Sequence, residues 1–203
     1  MRNKIYIVLI LLSIINCKEK AIYRTDKGIE LDNKISKKMA TYYVSPTGNN
    51  GNAGTQSSPW RSWHYAMNLL NAGDTLYVRG GTYSGLASLC PAGGSRHRYG
   101  VYVSGRNGTS GSHITVLNYP GEVPILDGSY WTITDGSIIG IRMKSCAYWD
   151  ITGLIITGFY QHSDSQWNAP GWWTESCSYV YHYRCVVHDC GDGFEMIGGM
   201  NYL

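Results

Sequence analysis

An internal repeat near the C-terminus constrains this chain more than any other feature. The stretch from Tyr179 to Glu195 reads as a short strand, a turn and a second short strand, and the turn carries Asp189, Asp192 and Glu195. The stretch from Tyr148 to Gly158 can be laid on it with Tyr148 over Tyr179, a shift of 31 (179 − 148). Leu154 then falls on Cys185, Ile156 on Val187 and Thr157 on His188. A third copy opens at Tyr202, a shift of 23 (202 − 179). Strand-rich, glycine-punctuated repeats of this length point to a solenoid, in which each coil adds strands to long parallel sheets and buries a stacked core. Hairpin-based all-β folds need no such register.

The rest of the chain fits that reading. Its 203 residues suffice for one domain. Only 15% are charged, with 25 Gly, 17 Tyr and 2 Phe, a composition suited to an extracellular β protein. The net charge of +3 hides an asymmetry. Residues 1–38 hold nine Lys/Arg and four Asp/Glu, giving +5; residues 39–203 hold eight and ten, giving −2. The folded part is mildly acidic, which gives no electrostatic case for nucleic acid.

Arg2 and Lys4 precede the apolar run Ile5–Ile15, which stops at Asn16-Cys17. A basic start and a short apolar core make an export signal, and the run is too short for a comfortable membrane span. Leu12-Ser13-Ile14-Ile15-Asn16-Cys17 resembles a bacterial lipoprotein signal, which implies removal of residues 1–16, lipidation of Cys17 and a place on the outer membrane or cell surface. The alternative is an ordinary secretory signal. Residues 17–39 are polar and lack apolar periodicity, and they read as a tether. The domain is expected over residues 40–203.

Ala40–Ser45 is a first strand, followed by a Gly/Asn/Ser-rich loop. Ser58-Pro59 reads as a helix start, with an N-cap and then proline at the first helical position. Trp60, Trp63, Met67 and Leu70 follow at helical spacing on one apolar face, and Gly73 ends it. Asp74–Arg79 is the next strand, and Gly80-Gly81-Thr82-Tyr83 the turn out of it. Tyr43-Val44-Ser45-Pro46-Thr47-Gly48, Asn52-Ala53-Gly54-Thr55, Ser58-Pro59-Trp60 and Ala72–Tyr83 together resemble the N-terminal cap and first coil of right-handed parallel β-helix proteins. They are most similar to the secreted polysaccharide lyases of family nine, the pectate lyases. The resemblance covers residues 41–203 and implies an all-β, right-handed parallel β-helix with an amphipathic capping helix over its first coil. Trp60 and Trp63 are then core-facing lid residues.

Short apolar runs recur from Val101 to Ile197, with Gly, Asn, Asp and Ser turns between them. The spacing of 31 exceeds that of 23 by eight, and Gln161–Glu175 reads as the insertion responsible. This stretch holds Trp167, Trp172 and Trp173, indoles suited either to stacking on sugar rings or to pinning the loop.

Gly191-Asp192-Gly193-Phe194-Glu195 resembles the Asp-Gly-aromatic-Asp turn that supplies calcium ligands in the family-nine lyases. By that likeness Asp192 is the first ligand candidate, Glu195 the second and Asp189 a neighbour. Read without the resemblance, Asp192-Gly193 is a turn. The resemblance implies β-elimination from a polyuronate, with calcium on the uronate carboxylate and a Lys base on a later coil. Nothing here matches that base. Lys144 is the single Lys after Lys38, and Lys144 and Arg184 read as solvated surface groups, Arg184 also as a contact for an acidic chain. His188 beside Asp189 reads as a polar strand-end residue.

If the shift of 31 is the coil register, Cys146 and Cys177 stack on neighbouring coils at about the 4.8 Å strand spacing, within disulfide reach. The third repeat begins at Met200-Asn201-Tyr202-Leu203, so the sequence reads as part of a longer β-helix. Two functions follow. One is an exported protein that binds an acidic polysaccharide and cleaves it as a calcium-dependent lyase. The other is a non-catalytic surface β-helix, an adhesin or glycan-binding module.

Overall fold

The computed structural model describes residues 22–25, 28–31, 39–84, 97–131, 136–160 and 168–198. The chain divides into Met1–Lys38 and Met39–Leu203. In the first unit, β1 (Ile22–Thr25) and β2 (Gly28–Leu31) pair antiparallel, so the segment read as a tether contains a hairpin. Cys17 and the apolar run before it lie outside the described residues.

The second unit is a stack of coils with three parallel sheets. Sheet A holds β3 (Thr41–Val44), β4 (Thr75–Val78), β7 (Ile114–Asn118), β10 (Ala147–Thr152) and β13 (Ser178–Tyr183) in that spatial order. Sheet B holds β5 (Gly81–Tyr83), β8 (Pro124–Asp127), β11 (Ile155–Thr157) and β14 (Val186–His188). Sheet C holds β6 (His97–Ser104), β9 (Ser137–Lys144), β12 (Pro170–Glu175) and β15 (Asp192–Ile197).

The register is the one the repeat predicts. Trp149 pairs with Val180, Ile156 with Val187 and Thr157 with His188, all at a shift of 31. Trp172 pairs with Phe194 at a shift of 22 (194 − 172). The longer coil carries residues 158–169 between β11 and β12, where the next coil carries only 189–191 between β14 and β15. The insertion therefore ends before Pro170. Pro170–Glu175 is a strand, not loop, so Trp172 and Trp173 are sheet residues. Trp167 and the third repeat at Tyr202 lie outside the described residues.

Inward residues stack coil on coil. Leu76, Val116, Ile151 and His182 form one column, and Leu126, Ile156 and Val187 another. Most are wholly buried, and each buried aliphatic side chain contributes roughly 1.5–3 kcal/mol by leaving water. Corners follow one local rule. A residue with left-handed φ is followed by a core residue: Ser145 then Cys146, Ser176 then Cys177, Gly153 then Leu154, Arg184 then Cys185, Gly158 then Phe159, Asp189 then Cys190.

Sheet C meets sheet B through a glycine row. Gly100, Gly140 and Gly171 stand at one register position of β6, β9 and β12. A Cβ on Gly140 would lie 2.2 Å from the Gly171 carbonyl oxygen and 2.7 Å from Ile156 Cγ2; one on Gly171 would lie 2.2 Å from Val187 Cγ1. Only glycine lets the sheet B side chains come this close.

The helix is shorter than expected and starts later. Helix α1 spans Trp63–Met67, and its N-cap is Ser62, whose Oγ accepts from the Tyr65 amide at 3.3 Å. Ser58 instead bridges to Thr55, and Trp60 bridges to Val44. Trp60, Trp63, Met67 and Leu70 are all buried, as their spacing predicts. Helix α1 also ties to the outer edge of β6: the Tyr102 amide donates to His64 Nδ1 at 3.2 Å, and Asn68 Nδ2 donates to the Tyr102 carbonyl at 2.8 Å.

Candidate functional site

The outer face of sheet C carries Trp173 and Glu195 of the residues singled out in the sequence, beside a cluster that the sequence did not single out. On β9 and β12, Ile141, Met143, Trp172 and Thr174 point inward and are buried. Arg142, Lys144, Trp173 and Glu175 alternate with them and face out. One register row runs Tyr102, Arg142, Trp173, Glu195 across β6, β9, β12 and β15. Each step along it is one coil.

Arg142 is the hub of this face. Its guanidinium lies 4.0 Å from the centre of the Trp173 ring, with Tyr99 at 5.4 Å and Tyr102 at 5.7 Å. It donates through Nη1 to the Tyr99 hydroxyl at 2.6 Å and pairs through Nη2 with Glu175. Lys144 Nζ reaches the same carboxylate at 2.7 Å. Lys144, then Arg142, holds the Glu175 carboxyl below its ordinary range. His97 Nδ1 is 2.8 Å from Ser137 Oγ, and burial followed by the Arg142 charge pushes its imidazole down.

Asp192 and Glu195 sit on β15 three residues apart. They share register rows with Tyr99 and Tyr102 of β6, both of which meet Arg142. Burial and then the Asp192 charge push the Glu195 carboxyl up.

A family model described as "Pel9A-like, right handed beta helix region" matches residues 42–202. The chain belongs to this Pel9A-like right-handed β-helix family. Among curated proteins, Pectate lyase PEL9 of Emericella nidulans is 33% identical over 89 residues, 44% of this chain and 18% of that one. Uncharacterized protein YwoF of Bacillus subtilis is 33% identical over 86 residues, 42% of this chain and 15% of that one. The matched stretches thus span less than a fifth of these relatives. Of solved structures, GH136 lacto-N-biosidase from Eubacterium ramulus aligns with a TM-score of 0.56 at 15% identity, over 77% of this chain and 30% of that one. Pectate lyase Pel9A aligns with a TM-score of 0.52 at 19% identity, over 73% and 33%. At these identities the likeness is one of fold.

Within this Pel9A-like domain the predicted site residues separate. Asp192 and Glu195 share β15, and Asp192 opens that strand rather than occupying a turn. Asp189 is exposed at a left-handed corner, where its Oδ2 lies 2.8 Å from His188 Nδ1, directed to that ring. Trp172 is wholly buried between Phe194 and His182, so it has no face for a sugar and is corrected to a core residue. Trp173 keeps its outward position. Arg184 is exposed at the corner between sheets A and B, away from this face. Sequence reading missed Arg142, Tyr99 and Tyr102 as site residues. Their signal was the alternation of β9 and β6, legible only once the inward partners are known.

Asp192 and Glu195, two carboxylates on one strand, are oxygen donors of the kind a hard cation takes. Calcium takes six to eight oxygens, so Asp192 and Glu195 supply only some of them. Among the described residues no three His, Cys, Asp or Glu side chains converge on one point.

Proposed function

We propose that this chain is an exported, lipid-anchored protein that binds an acidic polysaccharide along the outer face of sheet C. Asp192 and Glu195 contribute to a calcium site beside the bound chain. The observation that carries this reading is Glu195 standing beside Trp173 in the register of sheet C, three residues along β15 from Asp192, in a domain of the Pel9A-like family. Calcium bound there would draw charge from a uronate carboxylate and acidify the adjacent C–H. Asp192 and Glu195 would orient that carboxylate through the ion, and Trp173 would hold a ring face. The Cys17 signal supports the anchor.

A second reading, binding without cleavage, has its own support. Arg142 and Lys144 stand on β9, two strands from β15, and Glu175 holds both. Neither is placed to take a proton beside Asp192. Incubation with polygalacturonate, with and without calcium, separates the two readings. Calcium-dependent release of unsaturated uronides, seen by ultraviolet absorbance, supports the lyase. Binding without such release supports the module.

A further inference from the structure

The polar ladder on sheet C holds two cations side by side on β9. Arg142 and Lys144 share a single carboxylate, that of Glu175. Within this trio one positive charge is left over, while Glu195 stands one register step beyond Trp173. The two cations differ in access. The Arg142 side chain is 15% exposed and already donates to Tyr99 and Glu175, whereas that of Lys144 is 40% exposed. An ammonium carries three donors, and Glu175 occupies one of those on Lys144. Lys144 is therefore the cation that solvent, or a ligand, can reach.

Trp173 stands one strand across from Arg142 and one row from Glu175. Arg142 covers one face of its indole at 4.0 Å, and His97 meets the ring edge-on at 6.2 Å. These contacts fix the ring's plane. Its register neighbour on the far side is Glu195. A chain lying along the helix axis advances about 4.8 Å for each coil it crosses, a length comparable to one pyranose unit.

We propose that Trp173 and Lys144 form a two-residue subsite for an acidic glycan, resting on the polysaccharide-binding reading above. Trp173 takes the C–H face of one sugar ring. Lys144 takes the carboxylate of the sugar one coil back toward β6. Arg142 and Glu175 are positioning residues: Arg142 pins the indole, and Glu175 holds the ammonium at the surface. Glu175 also explains why Arg142 does not itself bind the ligand, since its guanidinium is spent on Glu175 and Tyr99.

The test is a tryptophan-fluorescence titration of the whole chain with oligogalacturonate, at two salt concentrations and saturating calcium. Wild type is compared with Lys144→Gln, Lys144→Arg, Trp173→Phe and Arg142→Lys, each checked for a wild-type melting transition. Lys144→Gln should weaken binding about tenfold and flatten its salt dependence, while Lys144→Arg restores both. Trp173→Phe should remove most of the ligand-induced emission change. Arg142→Lys should weaken binding without altering the salt dependence, because it frees the indole but keeps the charge. Unchanged affinity and salt dependence in Lys144→Gln, with oligogalacturonate still bound, overturns the subsite and leaves the polysaccharide-binding reading intact. Failure of wild type to bind oligogalacturonate overturns both. Should Lys144→Gln not fold, the emission change decides: the same change in Trp173→Phe as in wild type removes the subsite.

Discussion

The rings of Tyr148 and Tyr179 stack with centroids 4.7 Å apart and planes 8° from parallel, one coil on the other. Both residues have left-handed backbones, with φ of 59° and 53°. A bulky side chain is uncommon there, and it persists only where the surroundings impose it. The prediction is an order of substitutions. Tyr148→Asn loses a ring stack worth about 0.5–1.5 kcal/mol but suits the left-handed backbone. Tyr148→Val loses the stack and adds a branched Cβ at positive φ, so it should cost at least about 1 kcal/mol more. Urea midpoints of the two variants measure the difference. Equal losses would mean that the backbone there is not under this constraint.

The glycine row gives a sharper pair. Gly140→Ala drives a Cβ to 2.2 Å from a backbone oxygen of the next coil, where no rotamer change can help. It should destabilise by more than about 3 kcal/mol, in the range of severe overpacking, or prevent folding. Gly111→Ala meets nothing within 4 Å and should melt as wild type does. Thermal melts of both variants check this, and a wild-type melt for Gly140→Ala would show that β9 and β12 are not this close at that row.

His182 occupies the column position of Ile151, beneath Trp172 and Phe194, and its Nε2 is buried with no partner. Burial lowers its imidazole from 6.5 to about 4. A histidine whose folded value is depressed binds its proton first in the unfolded chain. The stability from keeping it neutral is present above pH 6.5 and is lost as pH falls from 6.5 to about 4. At 1.36 kcal/mol per unit the loss is on the order of 3 kcal/mol. His182→Ile should remove this part of the acid sensitivity. Stability curves for both proteins across that range decide it, and parallel curves would contradict the burial of the ring.

How much of this was legible in the sequence depends on range. The coil register could be read because Tyr148/Tyr179 and Ile156/Val187 repeat at one spacing, and the apolar face from Trp60 to Leu70 because it is local. The glycine row could not. Gly100, Gly140 and Gly171 are separated by 40 and then 31 residues, since loops of unequal length intervene (140 − 100 and 171 − 140). The Arg142–Glu175 pair spans 33 positions and acquires meaning only when β9 and β12 lie side by side. Trp172 and Trp173 are adjacent in sequence, and only the strand's alternation sends one into the core and the other to the surface. The left-handed corners at Ser145, Ser176, Arg184 and Asp189 carry no glycine to announce them.

The central claim is that the sheet C face binds an acidic polysaccharide with the help of calcium at Asp192 and Glu195. Isothermal calorimetry of polygalacturonate against the whole chain, with calcium and with a chelator, tests it most directly when repeated on Asp192→Ala and Glu195→Ala. The account predicts binding that calcium strengthens in wild type and that neither variant gains from calcium. Binding that is absent in wild type, or equally strengthened by calcium in all three proteins, would contradict it.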